Sequence, residues 1–162
     1  MASTTTSPVT FHRNRPAHEL AARLANVVKG DVMTDRGSCA RYATDASIYE
    51  IQPLAVLVPT SDADVRAAIA VCAELGVPVV PRGAGSSQCG QTIGAGLVID
   101  ASKHLNRLIA FDADERTVTV EPGIVLDALN ERLRQHGLWF PVDVSTSAQA
   151  TLGGMAGNNS CG

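Results

Sequence analysis

The chain has 162 residues, 45% hydrophobic and 18% charged, which suits one globular core and argues against a disordered chain. Its net charge of −3 and pI of about 5.7 give no sign of a nucleic-acid or polyanion surface. The four cysteines, Cys39, Cys72, Cys89 and Cys161, show neither a CxxC pair nor a Cys/His metal spacing.

Met1 to Pro16 is rich in Ser and Thr, carries Pro8 and Pro16, and reads as a disordered lead (1–16). It lacks the apolar stretch of a secretory signal, and no run in the chain is long enough to span a membrane. From Ala17 to Lys29, Leu20, Leu24, Val27 and Val28 recur at helical spacing, with Gly30 expected just past the end as a C-cap. Arg36 to Glu50 is mixed and polar, with Arg41, Tyr42, Asp45 and Tyr49 close together, and reads as a surface loop with a short helical turn. Residues 17–50 are therefore expected to form an N-terminal helical segment ahead of a domain over 51–162.

Leu54 to Val58 is a compact apolar run stopped by Pro59, which suits a buried strand. Ser61 is placed to cap the next helix, with Asp62 and Asp64 in its first turn, where negative charge suits the dipole. The apolar face of that helix is Val65, Ala68, Ile69, Cys72 and Leu75, and Gly76 ends it. Val77 to Val80 is the next strand. A strand, helix, strand unit implies parallel strands and a right-handed connection. Whatever leaves the carboxyl end of the second strand then lies where α/β sheets bind ligands.

What leaves it is Pro81-Arg82-Gly83-Ala84-Gly85-Ser86-Ser87-Gln88-Cys89-Gly90-Gln91. Small residues let another molecule approach the backbone, successive amides can form a nest for anionic oxygens, and Ser86 and Ser87 add hydroxyl donors. A loop cradling the phosphates of a nucleotide cofactor is the chemical reading, and a glycine-rich surface loop the bland one. Two known phosphate motifs fail here. A G-x-G-x-x-G needs glycine at 88, which is Gln88, and a P-loop needs lysine at 91, which is Gln91.

Beyond the loop, Leu97 to Asp100 reads as a buried strand, and Leu105 to Phe111 with Thr117 to Glu121 as a hairpin about the polar turn Asp112 to Arg116. Pro122-Gly123 turns the chain into a helix from about Ile124 to His136, with Leu126, Leu129 and Leu133 inward and Gly137 as its cap. His136 is explained by the helix dipole, and His104 reads as a loop residue. The chain closes on a second uncharged run, Thr151 to Gly162. Together, 81–96 and 151–162 hold nine of the fourteen glycines, and 83–96 and 151–162 carry no charged side chain. Two such segments favour a large ligand. Cys72 reads as core, and no base stands beside Cys89 or Cys161, so free thiols in a reducing cytosol are expected.

The ordered set Leu57-Val58-Pro59-Thr60-Ser61, Val79 to Ser87 with Gly90-Gln91, Val118 to Gly123, Phe140-Pro141-Val142-Asp143, Ala150 to Gly154 and Gly157-Asn158-Asn159 resembles the FAD-linked oxidase family, over about residues 40 to 162. The resemblance implies an α/β (α+β) fold of the PCMH or vanillyl-alcohol-oxidase type. Its first subdomain is a small, mainly parallel sheet flanked by helices, followed here by the start of the second and incomplete at the carboxyl end. The nearest likeness is to the D-lactate, glycolate and D-2-hydroxyglutarate dehydrogenase branch. Tyr42 to Ser47 and Asn158 to Gly162 are similar to long members that carry an iron–sulfur region, which would lie outside this chain.

Carried over residue by residue, the resemblance implies that Pro81, Arg82, Gly83, Ala84, Gly85, Ser86 and Ser87, with Gly90 and Gln91, wrap the FAD pyrophosphate. Arg82 has a surface salt bridge as its alternative role. Pro122 and Gly123 would shape the adjoining wall. Pro141, Asp143, Ser147, Thr151, Gly153, Gly154, Gly157, Asn158 and Ser160 would line the flavin and ribityl side. Ser86 stands where some members bond flavin through histidine, so binding is expected to be non-covalent. The implied reaction is hydride transfer from a 2-hydroxy acid to flavin, with a separate electron acceptor, in the cytoplasm or peripheral to the inner membrane. No residue is assigned as catalytic, and the fragment alone is expected to be inactive. The same fold acting on another alcohol or sugar, or a non-catalytic nucleotide-binding module, are the alternatives.

Overall fold

A computed structural model describes residues 15–160. The expected lead falls outside them except for Arg15 and Pro16, which open the first helix, and Cys161 and Gly162 lie outside as well. The elements in order are α1 (Arg15–Ala25), β1 (Asp31–Met33), α2 (Arg36–Ala40), β2 (Ala55–Val58), α3 (Asp62–Leu75), β3 (Val79–Arg82), β4 (Leu97–Asp100), β5 (Leu108–Asp112), β6 (Thr117–Val120), α4 (Leu126–Arg134) and α5 (Leu152–Gly157).

Two strands whose residues are apolar almost throughout take the centre of a four-stranded sheet of order β1-β2-β4-β3. Every residue of β2 and β4 is buried, as a strand covered on both faces requires. β2 and β3 each run parallel to β4, while β1 closes the other edge antiparallel to β2. The strand, helix, strand unit is thus parallel as expected, but β4 inserts between its two strands. Pro81 suits β3 to the edge, where a missing ladder donor costs least. β1 is an element the sequence reading lacks: three residues with one strong β-former, paired Val32 to Leu57, give too short a pattern to register.

The alternation along the central strands sorts the core into two layers. Ala55, Leu57, Leu97 and Ile99 face Leu20 and Leu24 of α1 and Ala68, Val71 and Cys72 of α3. Val56 and Val98 face the other way, against Cys39 of α2 with Met33, Tyr42 and Val80. Full burial of each leucine contributes about 1.5–3 kcal/mol, so the α1–α3 layer dominates this half of the molecule. Ile69, expected inward, is 48% exposed, and Val71 takes its place because α3 presents 64, 68, 71 and 72 to the sheet.

Helix ends also depart from expectation. α1 stops at Ala25, where the Asn26 side-chain amide donates to Ala22 O at 2.9 Å. Gly30 is therefore no C-cap. A Cβ there would collide with the Val58 carbonyl oxygen and lie 2.8 Å from Pro59 Cα, so glycine lets the chain cross the end of β2. Ser61 and Gly76 cap α3 as expected, the latter left-handed at φ +64°. Asp64 does more than meet the dipole: it is 3% exposed and accepts from Lys29 N, Thr60 N and Thr60 Oγ1 at 2.9, 2.8 and 2.8 Å.

The carboxyl half builds a second layer. β5 and β6 form the expected hairpin, bulged between Leu108 and Ala110, and Ile124 ahead of α4 packs against it with Leu129 and Leu133 of α4. The hairpin begins three residues later than expected because the Leu105 carbonyl instead accepts from Gly123 N at 2.7 Å. His136 rests its ring on Phe111 with centroids 4.4 Å apart, a packing role beside the helix-end position.

Candidate functional site

The site is built where β3 ends. Arg82 is the last residue of that strand, level with Asp100 of β4, and both lie on the sheet face that carries Tyr42. The Tyr42 hydroxyl donates to Asp100 Oδ2 at 2.8 Å, and Asp100 Oδ1 accepts from Ser102 N and Oγ at 2.9 and 2.6 Å. Burial, then this bond to Asp100, pushes the Tyr42 phenol up to about 12. The Arg82 guanidinium stacks over the Tyr42 ring at 5.3 Å and donates from one nitrogen to Thr44 O at 2.9 Å and Thr92 O at 3.3 Å. Arg82 therefore makes no salt bridge among the described residues.

From this anchor the chain turns through Gly83 to Gln91. Gly85 has φ +71°, and the direction a Cβ would take runs into the Arg82 guanidinium, so the loop folds directly over a positive charge. The backbone N–H groups of residues 83 to 88 donate to no acceptor among the described residues. Ser87 and Gln91 are spent on the loop itself. The Ser87 hydroxyl donates to Gln91 Oε1 at 2.8 Å and accepts from Cys89 N at 3.2 Å and Gln91 N at 3.5 Å. A row of unpaired amides above a guanidinium, with glycines for close approach, is chemistry suited to an anion such as a diphosphate.

The second glycine run meets the first. Thr151 is 2% exposed and caps α5, accepting from Gly154 N at 3.3 Å. Gly83 lies so close that a Cβ there would collide with Thr151 Oγ1. Gly153 N donates to Pro122 O at 2.8 Å, Leu152 N donates to Ile124 O at 2.9 Å, and Thr151 bridges Val125. Pro81 to Gln91, Pro122 and Thr151 to Gly154 are thereby one contiguous cluster. Gly157 on α5 has no described residue within 4 Å of where its Cβ would be.

Other residues singled out from sequence are placed differently. Gly123 is buried, its Cβ direction blocked by the carbonyls of Ala101 and Leu105, so it is a packing position. Pro141 lines a groove with Phe111, Arg116, Leu133, Trp139 and Phe140. Ser147 O accepts from Asp127 N at 3.2 Å in the first turn of α4, and Asp143 is exposed. Asn158 donates from its amide to Ser160 Oγ at 3.5 Å beyond α5. His18 lies on α1, His104 between β4 and β5, and His136 on Phe111, so no described histidine belongs to the cluster.

The sequence reading passed over Thr44, Asp45 and Tyr49, which touch the loop. The Asp45 carboxylate accepts from Ser47 N at 2.9 Å and Thr92 Oγ1 at 3.2 Å, and the Tyr49 ring packs where a Cβ on Gly90 would reach it at 2.9 Å. Their sequence signals are the clustering of Asp45 and Tyr49 with Arg41 and Tyr42, and the family-like run Tyr42 to Ser47, which includes Thr44 and Asp45. Cys39 and Cys72 are buried, and desolvation raises both thiols, which suits core roles. Cys89 is an exposed free thiol. Among the described residues no group of His, Cys, Asp or Glu could hold a metal, and no helix is long and apolar enough to cross a membrane.

Comparison with known proteins gives this geometry a context. A family profile described as FAD binding domain matches residues 53–162. A D-2-hydroxyglutarate dehydrogenase of Pantoea ananatis is 38% identical over 136 residues, covering 82% of this chain and 13% of that protein. A glycolate oxidase subunit of Bacillus subtilis is 35% identical over 124 residues, 75% of this chain and 26% of that protein. Among solved structures, an alkyldihydroxyacetonephosphate synthase superposes with a TM-score of 0.74 at 20% identity, over 85% of this chain and 31% of its own. A BBE-like 1 variant from Physcomitrella patens gives 0.71 at 22% identity, over 85% and 30%. These two likenesses show the fold. The chain spans 13% of the length of the first curated relatives it matches.

Proposed function

The chain belongs to the FAD binding domain family, and we propose that it is the phosphate-holding portion of a flavin-dependent dehydrogenase that oxidises a D-2-hydroxy acid. The observation that carries this reading is the meeting of the two glycine runs, with six successive loop amides that have no acceptor among the described residues. When bound, FAD would supply the hydride acceptor. The chain's own residues bind and orient it. The amides of Gly83, Ala84, Gly85, Ser86 and Ser87 receive the pyrophosphate, Thr151, Gly153 and Gly154 fix the second wall against Pro122, and Gly157 with Asn158 and Ser160 borders the flavin side. Ser86, a hydroxyl side chain in the loop, leaves the flavin non-covalently held. The group that takes the substrate's hydroxyl proton and the cation for its carboxylate lie outside this cluster, which contains no histidine.

Relatives named D-2-hydroxyglutarate dehydrogenase, glycolate oxidase subunit and D-lactate dehydrogenase support the substrate class. We place the protein in the cytoplasm, where Cys39, Cys72 and Cys89 remain thiols, with a separate electron acceptor. Titrating FAD into the chain while following flavin fluorescence tests the cofactor. Anaerobic bleaching of the flavin by D-2-hydroxyglutarate, D-lactate or glycolate, in the protein that carries this chain, tests the substrate. Flavin that binds but is bleached only by an unrelated alcohol or sugar would replace the substrate reading and keep the cofactor.

A further inference from the structure

Residues 83 to 88 have amides that bond to no described protein group, so the loop is held only at its ends and through side contacts. Ordering such a segment costs backbone entropy at every residue. Something must hold the loop open before an anion arrives, and the segment from Tyr42 to Ile51 is placed to do it. It closes on itself through a Thr44–Glu50 bridge and a bond from Ile51 N to Ala43 O at 2.8 Å. From that closed buckle, Thr44 O meets Arg82, the Asp45 carboxylate meets Thr92, and Tyr49 meets Gly90. Arg82 is the hub, because a guanidinium offers several donors in a rigid planar fork. One nitrogen spans Thr44 O in the buckle and Thr92 O past the loop, the cationic face rests on Tyr42, and Gly85 folds across the remaining edge.

We propose that Arg82 and Asp45 are positioning residues that clamp the 83–91 loop from its protein side, so that Arg82 shapes the amide nest and does not itself ligate the phosphates. The proposal rests on the reading of that loop as the FAD phosphate cradle. Two measurements on the 162-residue chain keep the two ideas apart. Backbone ¹⁵N relaxation, without ligand, reads the order of Gly85, Ser86 and Ser87. FAD titration reads binding. Asp45→Ala removes the acceptor of Thr92 and Ser47, Thr92→Val removes one hydroxyl at nearly constant volume, and Arg82→Gln removes the fork.

All three are expected to loosen the loop, and Asp45→Ala to weaken FAD about tenfold, the scale of one hydrogen-bonded contribution. Arg82→Lys, which keeps charge but cannot span two carbonyls and stack, is expected to restore only part of the order. Should Arg82→Gln not fold, Thr92→Val carries the test. Weakened FAD binding with an unchanged loop in Arg82→Gln would make Arg82 a direct phosphate ligand and overturn the proposal, as would an unchanged loop in Asp45→Ala. If the protein that carries this chain ignores FAD, the cradle reading is refuted, and the relaxation data still decide the clamp.

Discussion

Gly153 and Gly157 sit one turn apart on α5, and alanine at the two positions is expected to move stability in opposite directions. At Gly153 a Cβ would lie 2.6 Å from Pro122 Cβ, 2.9 Å from Pro122 O and 3.1 Å from Pro122 Cα. The Gly153 N–H to Pro122 O bond of 2.8 Å holds the same two segments together, so backbone on both sides resists retreat. Overpacking of this kind costs about 1–3 kcal/mol, and relief of glycine's backbone entropy returns about 0.5–1 kcal/mol, leaving a net loss of about 1–2 kcal/mol. At Gly157 no described residue lies within 4 Å of the Cβ position, and its φ is not left-handed, so alanine meets no clash among them. The gain there is at most about 0.5 kcal/mol because the residue ends the helix.

For a chain of this size 1 kcal/mol moves Tm by about 2–4 °C, so Gly153→Ala lowers Tm by about 2–8 °C while Gly157→Ala leaves it level or slightly raised. Calorimetric melts of the two purified variants read the difference. FAD titration then separates packing from ligand space. Gly157→Ala is expected to lose affinity without losing stability, because its methyl enters room assigned to flavin. Equal destabilisation by both variants would refute the packing argument. Wild-type FAD affinity in a stable Gly157→Ala chain would remove Gly157 from the flavin wall.

Gly85→Val places a β-branched residue at φ +71° with its Cβ directed into the Arg82 guanidinium, and a folded variant is expected to lose FAD binding; normal flavin uptake would remove the loop's assignment. Tyr42, with its phenol near 12 in the fold against an ordinary 10, stabilises the fold fully below about pH 10, and that contribution is lost as pH rises towards 12. Phenolate absorbance should show this late titration, and Tyr42→Phe should abolish it while costing about 1 kcal/mol, since Asp100 loses one of three donors. Burial pushes the Asp64 carboxyl up, but bonds from Lys29 and Thr60 outweigh it and hold the group below its usual 3.8. Its contribution is therefore present above about pH 4 and lost as pH falls through the folded value. Asp64→Asn is expected to cost about 1–3 kcal/mol at neutral pH and to flatten the acid limb of the stability profile, and an unchanged acid limb would contradict the assignment.

Much of the fold was legible because its signals are local and redundant. β2 and β4 are runs of apolar residues, α3 carries its own caps at Ser61 and Gly76, and the hairpin alternates about a polar turn. What escaped were features defined by partners distant in sequence. β1 exists because Val32 meets Leu57, and Ile69 is exposed because α3 rolls Val71 onto the sheet. The role of Arg82 depends on Tyr42 and Thr44 arriving from a segment far upstream, which no window around the loop contains.

The glycine signal shows most clearly how sequence and structure divide the information. Its density rightly marks the two segments that meet, yet it treats unlike positions as one. Gly85 is required by its left-handed backbone, and Gly83 and Gly153 by neighbours already in contact with them. Of the described glycines in the two runs, only Gly157 borders space that the described residues leave open. A ligand needs that last kind of glycine, together with amides that have no other partner, and residues 83 to 88 supply those amides. The close-packed glycines serve the ligand indirectly, by drawing the loop and α5 together tightly enough for one bound molecule to touch both. Substitutions at Gly83 or Gly153 should therefore damage fold and binding together, whereas Gly157 alone should uncouple them.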